Sequence, residues 1–314
     1  MLAERLSLSP CAILSFDRGG PTPLVCVCRF LRLEIYLCHC QCYADDAKLV
    51  PSSATDIDPH HIIDTVKHLE RHRDWDEFRT VYRTGDGVVV KKIYDPEAAL
   101  SEALNLAMIR SVTSIPIPEL RRVVVDGSTT YLVMECIEGD SLKDRWPHLS
   151  LWSRLSVAWT LRGYVAQLRR LRRSVPGTLP GGRCNGPLFT EDGAGPFHSY
   201  SDMIAWFNHK LEVSQRMNQA PIHAPRFDSR SPLVFTHQDL CPRNVMLAHD
   251  GTLYLIDWEY AGFYPEWFEY TTMLRQTDLP ISWRWMVPLI AGWFTNMARC
   301  VSNISWALST GAMM

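Results

Sequence analysis

Apolar residues fall into regular spacings only from about residue 59 onward, and from there the elements can be read in order. In DPHHIIDTVKHLERH, Asp58 caps a helix that has Pro59 at its first position, and Ile62, Val66 and Leu69 mark the apolar face. FRTVYRTGDGVVVKKI carries two β-branched runs around Asp86-Gly87, which predicts a hairpin. A helix from Pro96 to about Val112 puts Leu100, Leu104, Ala107 and Met108 on one side, and the prolines of SIPIPEL end it. RRVVVDGSTTYLVMECIEG is a second hairpin, turning at Asp126-Gly127. Hairpin, helix, hairpin describes a small antiparallel sheet with one helix, an α+β unit.

The pattern then turns helical. Leu151, Leu155, Ala158, Leu161, Val165 and Leu168 recur at three- and four-residue spacings, as one face of a long amphipathic helix requires. A loop rich in glycine and proline spans about 176–197, a helix follows around Tyr200 to Met217, and the tail from Glu266 is helical, its tryptophans suited to a core. Arg169, Arg170, Arg172 and Arg173 form a solvated helix face in this reading. Residues 1–55 differ: they are rich in cysteine, lack periodicity and are placed as an extension outside the main fold. Cys11, Cys26, Cys28, Cys38, Cys40 and Cys42 crowd this stretch; its C-x-C and C-x-C-x-C spacings fit sulfur on one strand face better than the usual C-x2-4-C ligand pairs of structural zinc, the less favoured alternative.

Composition narrows the function classes. The 314 residues are 46% hydrophobic and 21% charged, which excludes wholesale disorder. A net charge of −2 gives no basic field for nucleic acid or an anionic membrane, so neither is expected as a partner. The apolar run Leu24 to Leu37 is broken by Arg29, Arg32 and Glu34, so no membrane span is expected. Glu4, Arg5 and Pro10 spoil a secretory signal, and the expected compartment is the cytoplasm.

The chemistry concentrates in LVFTHQDLCPRNVMLAHDGTLYLIDWEYAG. A two-residue turn at Asp250-Gly251 would pair His249 with Thr252 and carry Asn244 opposite Asp257. Directly opposed residues share a face, so a carboxylate and an amide oxygen would sit side by side, a donor set that suits Mg2+. Asp239 precedes Asn244 by five residues, where a carboxylate could take the proton of a hydroxyl attacking a metal-bound phosphate.

His237-Gln238-Asp239-Leu240 with Asn244 and Ile256-Asp257-Trp258-Glu259 resembles the catalytic and metal segments of the aminoglycoside phosphotransferase family, which belongs to the protein-kinase-like superfamily. The Val88-Val89-Val90-Lys91 strand, the helix bearing Glu102, the SIPIP segment and Val133-Met134-Glu135 resemble its nucleotide lobe; VMECIEG, LRGYVAQLRRLR and EYAGFYPEWFEY resemble fungal members. The resemblance covers about residues 60 to 275 and implies a bilobal, kinase-like α+β fold with ATP and Mg2+ in the cleft. It divides the chain into the extension 1–55, a nucleotide-binding unit 56–137, and a catalytic and substrate unit 138–314.

The resemblance also implies roles. Asp239 is the base or orients the acceptor hydroxyl, and His237 braces its loop. Asn244 and Asp257 bind Mg2+; Lys91 contacts the α/β-phosphates and pairs with Glu102; Glu135 and Ile137 offer backbone groups to adenine. Strand alternation sends Lys91 and Lys92 to opposite faces, and the V-x-V-K register selects Lys91. No G-x-G-x-x-G covers the phosphates, and Gln238 stands where glycine is commoner in the family. The expected activity is phosphoryl transfer to a hydroxyl of a small molecule. The alternatives are a non-catalytic nucleotide-binding or scaffold protein and, less favoured, a protein kinase, for which the chain after Asp257 leaves little room.

Overall fold

The computed structural model describes residues 58–71, 80–85, 87–277 and 279–311, together with short strands at 13–14, 25–26 and 35–37. The fold class is α+β, and the chain forms two compact units: Met1–Val112 with Pro118–Cys136, and Thr113–Ile117 with Ile137–Met314. The first unit carries a five-stranded sheet with two helices, and helix dominates the second. The boundary falls one residue before the one drawn from sequence.

In the first unit, β4 (Val81–Arg83), β5 (Val88–Ile93), β6 (Leu120–Asp126) and β7 (Thr129–Glu135) follow the two hairpins read from sequence. They belong to a five-stranded sheet of order β3-β6-β7-β5-β4. Its outer strand β3 (Ile35–Leu37) pairs in parallel with β6. This corrects the expected extension outside the main fold: the backbone of Ile35–Leu37 supplies a sheet edge. β1 (Ile13–Leu14) and β2 (Val25–Cys26) form a separate antiparallel pair, and the cysteine side chains of that region lie outside the described residues.

Two helices pack on this sheet. Helix α1 (Pro59–Arg71) starts as its capping Asp58 requires: the carboxylate accepts the His60 N–H at 3.0 Å. Its Ile62, Ile63 and Val66 pack with Tyr82, Val88, Val90, Val124, Tyr131 and Val133. Helix α2 (Pro96–Val112) buries Ala99, Glu102, Ala103, Leu106 and Ile109; of the expected stripe Met108 is buried, while Leu100, Leu104 and Ala107 are half-buried.

The second unit begins with β8 (Gly139–Ser141) and the short helix α3 (Leu142–Arg145). Helix α4 (Leu151–Leu168) buries Ala158, Leu161, Val165 and Leu168 as its spacing predicts, while Leu151 is exposed. The helix ends before the arginine run. Arg169 caps it and donates to the carbonyls of Glu266 and Ala291, so the expected solvated arginine face is corrected at that residue. Helices α5 (Tyr200–Arg216), α6 (Trp267–Arg275), α7 (Ile281–Ala291), α8 (Thr295–Asn303) and α9 (Ser305–Ser309) complete the helical part. An aromatic core of Phe189, Phe207, Tyr264, Trp267 and Phe268 joins α5 and α6 to the loop before α5. Trp283 is buried as expected, whereas Trp285 and Trp293 are exposed. No helix among the described residues is long and apolar enough to cross a membrane.

Two small sheets carry the chemical segment. β9 (Leu233–Thr236) pairs antiparallel with β12 (Gly262–Pro265), and β8, β10 (Val245–Ala248) and β11 (Leu253–Leu255) form the order β11-β10-β8. The chain between β9 and β10 is therefore pinned at both ends by sheet.

Candidate active site

In the first unit, alternation along β5 decides between the two lysines. Val88, Val90 and Lys92 face α1, so Lys92 Nζ meets Glu70 Oε1 at 2.8 Å. Burial pulls the Lys92 ammonium down, but its hydrogen bonds to Glu70 and Tyr94 and the Glu70 charge outweigh that and raise it. Lys91 faces α2, and its Nζ lies 2.8 Å from Glu102 Oε2, the two side chains only 10% and 2% exposed. At the end of β7, the Glu135 N–H donates to Glu119 O at 2.9 Å, and its carboxylate accepts the Glu119 N–H at 3.2 Å. Ile137, the first residue of the second unit's long segment, is buried.

In the second unit, the hairpin register differs from the expected one by one residue. β10 and β11 pair Val245 with Leu255 and Leu247 with Leu253, and the Ile256 N–H donates to Asn244 O at 3.0 Å. Asn244 therefore faces Ile256, not Asp257. The cause is the turn: the Gly251 N–H donates to Ala248 O, so His249, Asp250 and Gly251 form a three-residue loop with Gly251 left-handed at φ 88°. Asp257 is itself left-handed at φ 66°, past the end of β11, so strand alternation no longer sets its direction. Its charge still helps to raise the Arg243 guanidinium, against a larger lowering by burial.

The loop after β9 is held by groups converging from three elements. His237, fully buried, donates its backbone N–H to Glu269 Oε2 of α6 at 2.7 Å. Its Nδ1 lies 3.3 Å from the Asp239 N–H and its Nε2 lies 3.1 Å from Ile256 O. Accepting at Nδ1 and donating at Nε2 assigns the neutral Nε2–H tautomer and leaves neither nitrogen for proton transfer. Its ring packs on Trp258 with centroids 4.5 Å apart. Gln238 is left-handed at φ 65°, the conformation glycine adopts freely, and its Nε2 fixes the turn by donating to Tyr260 O at 2.7 Å.

The Asp239 carboxylate gathers four donor contacts. Arg243 Nη2 lies 2.8 Å from both oxygens, Asn244 Nδ2 2.6 Å from Oδ2, and Gln276 Nε2 2.5 Å from Oδ1. Arg243 Nη1 also donates to Gln276 Oε1 at 2.7 Å, closing a ring of three side chains. Asn244 Nδ2 binds Asp239 O at 2.9 Å as well, so its amide nitrogen is committed and Oδ1 is the atom it can offer a cation. Burial and the neighbouring Asp239 charge push the Cys241 thiol up to about 11, so it stays protonated. Asp239, Cys241 and Arg243 border a cavity of about 420 Å3 within this unit.

Among the residues singled out from sequence, the first unit joins Lys91 to Glu102, and the second joins His237, Asp239 and Asn244. Arg243, Glu269 and Gln276 were missed. Arg243 lies one turn past Asp239 in the quoted motif, and Glu269 lies inside the quoted EYAGFYPEWFEY, so both had a signal. Gln276, 37 residues from Asp239, had none.

Residues 68–300 match the family model described as the phosphotransferase enzyme family. A search of curated proteins finds no match. Solved structures similar to the chain include aminoglycoside phosphotransferase APH(4)-Ia, 14% identical, covering 74% of this chain and 82% of that one with a TM-score of 0.46. The gentamicin complex of APH(2'')-IIa is 13% identical over 81% and 89% of the two chains, with a TM-score of 0.48. The ADP-bound aminoglycoside phosphotransferase APH(2'')-Ib is 14% identical over 78% and 88%, again at 0.48.

Proposed function

The chain belongs to the phosphotransferase enzyme family, and from that premise we propose that it moves the γ-phosphate of ATP to a hydroxyl of a small molecule, with Asp239 as base. The observation that carries the reading is a carboxylate on a braced loop bordering a cavity large enough for a small acceptor. The acceptor oxygen attacks the γ-phosphorus, the bond to the β-phosphate oxygen breaks, and the hydroxyl proton passes to Asp239. His237 holds the loop and takes no proton.

Lys91, kept in place by Glu102, contacts the α/β-phosphates, and Glu135 and Ile137 offer backbone groups to adenine. The donor chemistry suits Mg2+: Asn244, its Nδ2 committed to Asp239, would offer Oδ1 and Asp257 would offer a carboxylate, hard oxygen ligands of the kind this ion takes from protein. When bound, Mg2+ neutralises charge on the transferring phosphate. The surrounding chain orients the hydroxyl and receives its proton.

Acceptor-stimulated ADP release, measured over a panel of hydroxylated metabolites with and without Mg2+, tests the proposal. Saturable release with phosphate recovered on the acceptor is expected. Mg-ATP binding without transfer to any acceptor would replace it with the non-catalytic nucleotide-binding reading.

A further inference from the structure

The cavity beside Asp239 is charged in one sense. Among the described residues lining it, Lys143, Arg243 and Arg275 are cations and Asp239 is the one carboxylate. Asp239 is already answered by Arg243, which leaves Lys143 and Arg275 as the further cations among the described lining residues. A polycationic acceptor would meet repulsion there, and a neutral one would gain nothing from the field.

The base itself poses a second problem. An ionised carboxylate has about four acceptor positions, and the four contacts from Arg243, Asn244 and Gln276 use them. A hydroxyl can donate to Asp239 only if one donor withdraws. Asn244 is buried and tied to Asp239 O as well, so it is poorly placed to leave. Arg243 and Gln276 both line the cavity, and of the two Arg243, its side chain 53% exposed, is the cation that an incoming anion attracts. It gives up a charge-assisted pair readily only where another anion receives it.

We infer that the acceptor is a small hydroxylated anion, bearing a carboxylate or phosphate, and that Arg243 selects it by exchanging Asp239 for the acceptor's own charge. The inference rests on the reading of Asp239 as base. Lys143 lines the same cavity as an exposed second cation, and Arg275 stands beside it, its guanidinium bound to Ser305 Oγ at 2.6 Å. Binding of the anion and release of the base are then one event, and a neutral alcohol of the same skeleton fails at both.

Two readouts on the full chain separate this inference from the phosphotransfer reading. The first is calorimetric binding of a panel of hydroxycarboxylates and sugar phosphates, each paired with the neutral polyol or sugar of the same skeleton, and of the polycation gentamicin. Acids should bind and their neutral counterparts and gentamicin should not, with affinity falling as salt rises. Arg243→Gln should weaken acid binding about 10- to 100-fold, the range of a lost charge-assisted contact. Lys143→Gln, at an exposed position, should weaken it by a smaller factor. The second readout is acceptor-stimulated ADP release by the same panel; carboxylates and phosphates are scored separately to tell which anion is preferred. Acids that bind in this manner without being phosphorylated would support the anion site and remove the phosphotransferase reading. Transfer to neutral or polycationic acceptors, with a KM unmoved by Arg243→Gln, would overturn the anion site and leave phosphotransfer standing. Failure of every acid to bind would also overturn it.

Discussion

Lys91 and Glu102 meet as one cation and one carboxylate, on a strand and a helix, both nearly sealed from water, whereas Asp239 gathers its donors on a loop and one of them, Arg243, is 53% exposed. The first arrangement is set by regular elements: the pleat of β5 aims Lys91 at α2, which carries Glu102. The second is assembled from a loop, a 3-10 turn at Pro242–Asn244 and the residue after α6. A pair fixed by backbone regularity holds a charge in one place. A network with an exposed member can trade partners, which suits a group that must change its hydrogen bonds during a reaction.

The largest test of this contrast is Asp239→Asn. Asparagine keeps the shape but cannot take a proton as a carboxylate does, so transfer should fall about 10²–10⁴-fold while Mg-ATP affinity changes little. Near-normal transfer, read as initial rates beside nucleotide binding in the same variant, would make Asp239 a bracing residue like His237. Next is Lys91→Met. Leaving the 2%-exposed Glu102 carboxylate without that lysine should cost about 3 kcal/mol in a urea melt. Lys92→Met, which breaks the more open pair with Glu70, should cost about 1 kcal/mol or less. Equal losses would erase the distinction between the two faces of β5.

A third test concerns the clamp under the loop. Burial raises the Glu269 carboxyl above its ordinary value, against the opposing pull of His237, so the folded chain binds that proton more tightly than the unfolded one. The resulting stabilisation is full below the ordinary carboxylate range and is lost as pH rises through the raised value. Glu269→Gln should therefore flatten the decline of the urea midpoint across that window, and an unchanged slope would show that the carboxyl titrates normally. A more local effect is expected at Gln238→Gly. Relief of a left-handed non-glycine residue, about 1 kcal/mol, offsets part of what the fully buried side chain loses in its bonds to Tyr260 O and Tyr264, so a net loss of about 1–2 kcal/mol is expected. A change well beyond that would mean the side chain does more than hold the turn.

The same contrast explains what could be read from the sequence. The opposite facing of Lys91 and Lys92 was legible because their β-branched neighbours fix a two-residue period, while the choice of Lys91 came from the V-x-V-K resemblance. The register of the β10–β11 hairpin was not legible, because one dipeptide serves two turns. At Asp126-Gly127, Asp126 pairs with Thr129, and Gly127 with Ser128 forms a two-residue turn. At Asp250-Gly251, His249 joins the loop, and every pairing beyond it shifts by one. The choice lies in backbone angles that the letters Asp-Gly allow in both forms. Strand β3 was missed for another reason: three residues, IYL, inside a cysteine-rich stretch are too few to show alternation. Gln276 reaches Asp239 only through the packing of α6, which no local pattern encodes.

The occupied state of the Asp239 carboxylate bears on how economically such an enzyme would use its nucleotide. A carboxylate whose acceptor positions are filled has no room for a proton from water. In the proposed mechanism, water entering the site without an acceptor therefore finds no working base, and idle ATP hydrolysis stays low. Coupling would then reside in the ring of Asp239, Arg243 and Gln276, with no lid needed. Gln276→Ala opens that ring at its outer corner, and basal ADP release should rise even as transfer to the acceptor weakens, a transferase turned into a leak.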